Sequence, residues 1–161
     1  MRFLKSFYIH NTFFWYIAIL AALFMTSYWV KWLYPIAWVS TMVLLFLFLF
    51  DIYLLYSTKN GIKASRSLPQ KLSNSDHNPI KMEFSTSYPF KTGISVVEEL
   101  PEQLQKRDFE YTAKLIKSIP NLFEYTVRPV ERGEYVFGNL NIYASTPLRI
   151  AKRRYLFQKN Q

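Results

Sequence analysis

The side chains that most often perform chemistry are few in this sequence and widely spaced. The chain has two histidines, His10 and His77, and no cysteine. Neither histidine has a second histidine at the spacing of a metal site, and the absence of cysteine excludes thiol nucleophiles and thiolate zinc sites. Glu98 and Glu99 are adjacent, so on a strand they point to opposite faces and cannot form an acid–base pair. The sequence therefore predicts no catalytic residue, no metal ligand and no cofactor.

The best candidate for a binding surface is a group of cations near the end of the chain: Arg149, Lys152, Arg153 and Arg154. Each such cation gains about 1 kcal/mol beside anionic lipid headgroups. Strand alternation places Lys152 and Arg154 on one face and Arg153 on the other, so a solvated strand edge is the alternative interpretation. Nucleic acid is not predicted as a partner, because few aromatic platforms accompany these charges.

The elements that must position these residues begin with an apolar run that predicts a membrane hairpin. From Asn11 to Phe50 the only charged residue is Lys31. A single helix over that run would be about 60 Å long, twice a hydrocarbon core of about 30 Å. A turn near Lys31 divides the run into transmembrane spans of about 13–30 and 33–52. Aromatic residues that favour the water–lipid boundary surround that turn: Trp29, Trp32 and Tyr34.

The cations around the hairpin predict that both termini are cytoplasmic. Arg2 and Lys5 precede the first span and Lys31 alone occupies the turn. Four cations follow the second span: Lys59, Lys63, Arg66 and Lys71. Lys and Arg are enriched in cytoplasmic loops. The alternative, a cleaved signal peptide, has a shorter apolar core of about 7–15 residues. Asp51 ends the second span, where we interpret it as an interfacial anchor.

Residues 57–161 follow the hairpin (1–56) as one predicted cytoplasmic domain. Of the 20 Lys and Arg residues in the chain, all except Arg2, Lys5 and Lys31 lie in this part. Three segments alternate apolar and polar residues as half-buried strands do: Ile80–Phe84, Phe123–Val127 and Leu140–Ala144. Shorter strands are predicted around 94–97, 135–137 and 148–157. Six or seven short strands separated by turns predict an immunoglobulin-like β-sandwich.

Residues 102–119 are compatible with either a helix or a strand. Tyr111, Leu115 and Ile119 are four residues apart, as on one face of a helix that begins behind Pro101. A strand from about Asp108 to Leu115 is the preferred interpretation, because aromatic residues there alternate with polar ones and favour strands.

Several motifs of this chain resemble one bacterial family. They are Arg66, Leu68 and Pro69 after the hairpin, Leu100 with Pro101, the run Tyr125–Pro129, the run Arg132–Gly138 and the run Ser145–Leu148. On these motifs, and over the whole chain, the protein resembles bacterial proteins of domain-of-unknown-function family fifty-eight. Two positions depart from it, since the family often has aspartate where Thr146 stands and glycine near Arg149.

The resemblance implies an N-terminal anchor and a β-sandwich that precede a domain similar to a von Willebrand A fold. We expect this chain to lack that domain and, with it, the metal ligands of the family. The resemblance also implies the bacterial inner membrane and, as partner, a MoxR-type AAA+ ATPase that assembles or activates other complexes. Five motif residues are expected to be structural: Arg132, Gly133, Tyr135, Gly138 and Pro147. Gly133 suits a turn and Gly138 a bulge within a strand.

Two functional hypotheses follow from the sequence. The first is a membrane-anchored, non-catalytic scaffold that holds a protein partner at the lipid bilayer. The second is an anionic-lipid-binding membrane-assembly protein, in which the hairpin oligomerises and the basic face binds headgroups.

Overall fold

A computed structural model describes residues 5–69, 71–104, 110–130 and 133–157. The chain forms two compact units. The first unit comprises Met1–Lys59 and Ser145–Arg153, and the second comprises Asn60–Ala144 and Arg154–Gln161. A short segment near the end of the sequence thus belongs to the same unit as the N-terminal helices.

The first unit is an antiparallel helical pair with a short strand pairing. Helix α1 is Asn11–Ser27 and helix α2 is Leu33–Ser57. The rings of Phe13 and Phe48 stack with centroids 5.0 Å apart. Strand β1, Phe7–Ile9, pairs antiparallel with Ala151–Arg153. The two predicted helices are confirmed, although α1 ends at Ser27 and α2 continues to Ser57.

Helix α2 is the only helix among the described residues that is long and apolar enough to cross a membrane. Only 11% of its most apolar window is buried, so it is not the core helix of either unit. Helix α1 is apolar but has 17 residues. The charged residue between them, Lys31, is exposed in the turn.

The second unit contains two β-sheets with antiparallel pairing. Its strands are β2 (Ile62–Ser67), β3 (Asn78–Thr86), β4 (Thr92–Glu98), β5 (Glu110–Leu115), β6 (Asn121–Val127), β7 (Leu140–Ser145) and β8 (Ala151–Phe157). The last residue of β7 and the first three of β8 belong to the first unit. One sheet has the order β2-β3-β6, and the other has the order β8-β7-β4-β5 in this unit. The pairs β2/β3, β3/β6 and β4/β5 are antiparallel.

The core of this unit lies between the two sheets. Alternate residues of β3 are fully buried, among them Ile80 and Phe84. The facing sheet contributes Val96 and Ile142, which are equally buried. The predicted alternation is therefore confirmed, and the arrangement agrees with a β-sandwich.

Several local predictions need correction. No strand forms at Tyr135–Phe137: residues 134–139 are an irregular segment, in which Phe137 is buried. The last strand begins at Ala151, since the residues before it form a turn. Residues Glu110–Leu115 are a strand, as preferred, but Asp108 lies outside the described residues.

Candidate functional site

A buried carboxylate in helix α2 connects the helix to the segment between β7 and β8. The side chain of Asp51 is fully buried. Its Oδ1 accepts the hydroxyl of Thr146, and its Oδ2 accepts the main-chain N–H groups of Ile150 and Ala151 at 3.2 and 2.8 Å. From the sequence, Asp51 is interpreted as an interfacial anchor; the structure shows that its carboxylate is buried and accepts three hydrogen bonds.

The connection 146–150 is folded so that its donors face the helix. The N–H of Leu148 donates to Thr146 Oγ1 at 3.1 Å, and the N–H of Arg149 donates to the Thr146 carbonyl at 3.2 Å. Arg149 has a φ of 53°, in the left-handed region that favours glycine. This turn leaves the N–H groups of Ile150 and Ala151 free to offset the cost of burying a carboxylate.

Arg153 binds the C-terminal end of the same helix. Its guanidinium donates to the carbonyls of Leu55, Thr58 and Lys59 at 2.7, 2.8 and 3.2 Å. It also lies 4.6 Å from the centre of the Tyr56 ring. Carbonyls at a helix C-terminus lack intrahelical donors and carry partial negative charge, so a guanidinium there is stabilising.

The four residues of the predicted basic cluster have different surroundings. Arg153 is engaged by the helix, and Arg154 donates to Oδ1 of Asn141 at 2.9 and 2.6 Å within the second unit. Arg149 is exposed and Lys152 is half-buried. Alternation correctly separated Arg153 from its neighbours, but the sequence could not show that its partner is a helix end.

His10 forms the N-cap of helix α1 beside the same connection. Its side-chain Nδ1 accepts the main-chain N–H of Thr12 at 3.1 Å. The main-chain N–H of His10 donates to the Ile150 carbonyl at 2.9 Å. Burial lowers the pKa of His10, and Lys152 and Arg149 lower it further, while Asp51 opposes them. The neutral imidazole suits this position because only an unprotonated Nδ1 accepts a hydrogen bond.

A second polar cluster lies inside the β-sandwich. Arg66 pairs with Glu98 at 2.7 Å, with side chains 9% and 0% exposed. The hydroxyl of Tyr125 donates to the other Glu98 oxygen at 2.6 Å. Burial, and then the adjacent Glu98, raise the pKa of Tyr125 far above its usual value. The two glutamates face opposite ways, as expected: Glu98 is buried in an ion pair and Glu99 is exposed.

The motif residues of the sequence analysis surround this cluster. Arg66 lies 5.5 Å from the centre of the Phe137 ring and donates to the Gly138 carbonyl at 3.4 Å. A Cβ on Gly138 would lie 2.6 Å from the Cβ of Glu99. Gly138 is therefore required by close packing and not by a strand bulge.

The other motif residues have more ordinary surroundings. Gly133 has no atom near its absent Cβ and a negative φ, so its position does not demand glycine. Pro147 is exposed in the 146–150 connection. Tyr135 is half-buried, and Arg132 lies outside the described residues.

An open groove of about 610 Å³ passes beside these motif residues. Its walls are mainly Leu68, Pro69, Pro129, Tyr135 and Phe137, with Lys71 and Glu134 among its polar residues. Among the described residues, no group of three His, Asp or Glu side chains is placed to hold a metal ion. The groove thus combines apolar walls with polar groups and charges of both signs.

No protein-family model and no curated protein matches the chain.

Proposed function

We propose that this chain is a membrane-anchored, non-catalytic binding module. Helices α1 and α2 both cross the membrane, and the β-sheet unit is displayed on the cytoplasmic side. The observation that carries the proposal is the pairing of β1, which precedes α1, with Ala151–Arg153 near the end of the sequence.

Two paired segments must lie on the same side of a membrane, because a strand pair does not cross the hydrocarbon. The chain therefore crosses the membrane an even number of times between Ile9 and Ala151. Since α2 is the strongest candidate span, a second crossing is needed. Helix α1 supplies it: its 17 residues give about 26 Å at 1.5 Å per residue.

The position of Asp51 in α2 agrees with this arrangement. From Leu33 to Asp51 the helix rises about 27 Å, close to the hydrocarbon thickness of about 30 Å. Asp51 then lies at one edge of the hydrocarbon, with its charge satisfied by the 146–150 connection. The cations that flank the hairpin on that side make it the cytoplasmic side.

The strand order favours an immunoglobulin-like sandwich. In such folds, strands A, B and E form one sheet, while C, F and G pair in the other. If β2 is strand A, the order β2-β3-β6 corresponds to A-B-E, and β8-β7-β4 to G-F-C. The remaining strand β5 pairs with β4, as an added C′ strand does.

A protein is the partner that the second unit fits best. The groove beside Tyr135 has apolar walls, among them Leu68 and Phe137, together with polar groups and charges of both signs, a mixture typical of protein–protein interfaces. The resemblance to family fifty-eight assigns a MoxR-type AAA+ ATPase as that partner, and we include it in the proposal. The same resemblance supports localisation in the bacterial inner membrane.

Disulfide trapping tests the pairing that carries the proposal. The chain contains no cysteine, so Tyr8→Cys with Lys152→Cys introduces the only thiols, at directly paired positions. We expect rapid intramolecular cross-linking in native membranes. The matched control combines Tyr8→Cys with Lys117→Cys, an exposed site in the second unit. Equal cross-linking of both pairs, or of neither, would contradict the proposal.

Photocross-linking tests the partner separately. A photoreactive residue at Leu68, in the groove, should form an adduct with a co-expressed MoxR-type ATPase. The same residue at exposed Ile119, away from the groove, should not. Absence of an adduct at Leu68 would remove the ATPase from the proposal while leaving the anchoring intact.

A further inference from the structure

We propose that Arg149 and Lys152 form a binding site for the headgroup of an anionic phospholipid beside the start of helix α1. This inference rests on the proposed membrane anchoring. It narrows the four-residue basic cluster to the two cations whose charges are not taken up by the contacts described above.

Arg149 and Lys152 lie at headgroup depth in the proposed arrangement. Ile150 and Ala151 are bonded to Asp51, which lies at the edge of the hydrocarbon in the proposed arrangement. Arg149 directly precedes Ile150 and is exposed. It therefore lies at the level where phospholipid headgroups meet the acyl chains. Lys152 is half-buried and directly follows Ala151. Its backbone therefore lies about one strand residue from Ala151.

Arg149 and Lys152 carry their positive charges near the start of α1. Lys152 pairs with Tyr8 of β1, and Ile150, which follows Arg149, accepts the main-chain N–H of His10 at 2.9 Å. Both cations also lower the pKa of His10, which Asp51 opposes. The Asp51 carboxylate already accepts three hydrogen bonds. In a bilayer, the layer beside the helix start is that of the headgroups, where anionic lipids attract such cations.

The backbone of Arg149 provides further support. A φ of 53° is unfavourable for a residue with a side chain. Glycine would adopt it without strain, and asparagine with little. An arginine at this strained position is consistent with a use of its side chain that offsets the strain. An exposed guanidinium at headgroup level binds phosphate oxygens through two parallel hydrogen bonds, which gives it such a use.

Retention of lipid by the full-length protein tests the site. The protein is purified from membranes in mild detergent and offered equal amounts of phosphatidylglycerol and phosphatidylethanolamine, and bound lipid is measured by native mass spectrometry. We expect the wild type to retain phosphatidylglycerol preferentially. In the double variant Arg149→Gln with Lys152→Gln, affinity for that lipid should fall on the order of 10- to 30-fold.

Two matched variants keep the test specific. Lys114→Gln with Lys117→Gln removes the same charge from exposed positions of the second unit and should leave lipid preference unchanged. Arg149→Lys with Lys152→Arg keeps both charges and should retain most of it. If the glutamine variant keeps the preference, or if the distant control loses it equally, the site is refuted.

The two proposals fail in different ways. Should Tyr8→Cys and Lys152→Cys not cross-link in membranes, the anchoring arrangement itself is wrong. Should they cross-link while lipid retention is insensitive to Arg149 and Lys152, the anchoring stands and only the headgroup site is wrong.

Discussion

Oδ2 of Asp51, in helix α2, accepts the main-chain N–H of Ala151 at 2.8 Å, although the two residues are 100 positions apart in sequence. This bond, with those from Thr146 and Ile150, ties the helix to the turn that precedes β8. Burying a carboxylate is unfavourable unless its oxygens accept hydrogen bonds. The turn donates those hydrogen bonds, so helix and turn stabilise each other.

Removing the carboxylate should therefore destabilise the protein. Asp51→Ala leaves two buried N–H groups without an acceptor, and we expect a loss of about 2–5 kcal/mol in the free energy of unfolding, measured in detergent micelles. Glu124→Ala is the matched control, because Glu124 is exposed on β6 and should change stability by less than about 0.5 kcal/mol. Similar losses in both variants would disprove the role assigned to Asp51.

Arg153 and Arg149 should affect different properties. Arg153→Gln removes the donors to the last carbonyls of α2, and we expect a loss of about 1–2 kcal/mol in stability with faster hydrogen exchange near Leu55. Its retention of phosphatidylglycerol should stay close to that of the wild type. Arg149→Gln should instead reduce retention of phosphatidylglycerol and leave the free energy of unfolding close to that of the wild type. If both substitutions reduce lipid retention equally, the division of the basic cluster is incorrect.

The tyrosine in the sandwich core should make stability sensitive to alkaline pH. The pKa of Tyr125 is raised in the folded state, so above about pH 10 the unfolded chain loses that proton while the folded chain keeps it. The unfolded state then binds fewer protons, and the free energy of unfolding falls as pH rises. Tyr125→Phe should weaken this dependence. Denaturant titrations from pH 8 to 11 on both proteins provide the comparison, and identical slopes would rule out the effect.

His10 should make stability sensitive to acid. Its folded-state pKa is lowered from 6.5, so below pH 6.5 the unfolded chain takes up a proton that the folded chain resists, and stability decreases. His10→Asn retains an N-cap but does not titrate. Both proteins should carry His77→Gln, which removes the other histidine of the chain. We expect the loss between pH 7.5 and 5.5 to be smaller with asparagine, and an equal loss in both would contradict this role.

Much of the architecture follows from patterns that are local in sequence. The single charge at Lys31 within the apolar run located the turn between two helices, because burial of a lysine in hydrocarbon is unfavourable. Period-two alternation located β3, β6 and β7, because each has one face in the core. The sequence pattern did not predict strand β2, because small and polar residues dominate it and Ile62 is its only large apolar side chain.

The site could not be predicted because it depends on partners far apart in sequence. Asp51 and Arg153 looked like an isolated interfacial acid and one of several cations. In the structure, the turn at 146–150 donates hydrogen bonds to Asp51, and the carbonyls at the end of α2 accept hydrogen bonds from Arg153. No periodic pattern in the sequence indicates either set of contacts. The buried ion pair of Glu98 could not be predicted for the same reason, since its partners Arg66 and Tyr125 come from two other strands.

Cysteine accessibility in intact cells tests the central claim, that α1 and α2 both cross the membrane and leave the β-sheet unit in the cytoplasm. Lys31→Cys in the helical turn and Lys117→Cys in the second unit are each the only thiol in their protein. A membrane-impermeant maleimide should label Lys31→Cys in cells whose outer membrane alone is permeabilised, and Lys117→Cys only after the inner membrane is opened. Labelling of Lys117→Cys before that step, or protection of Lys31→Cys until that step, would contradict the account.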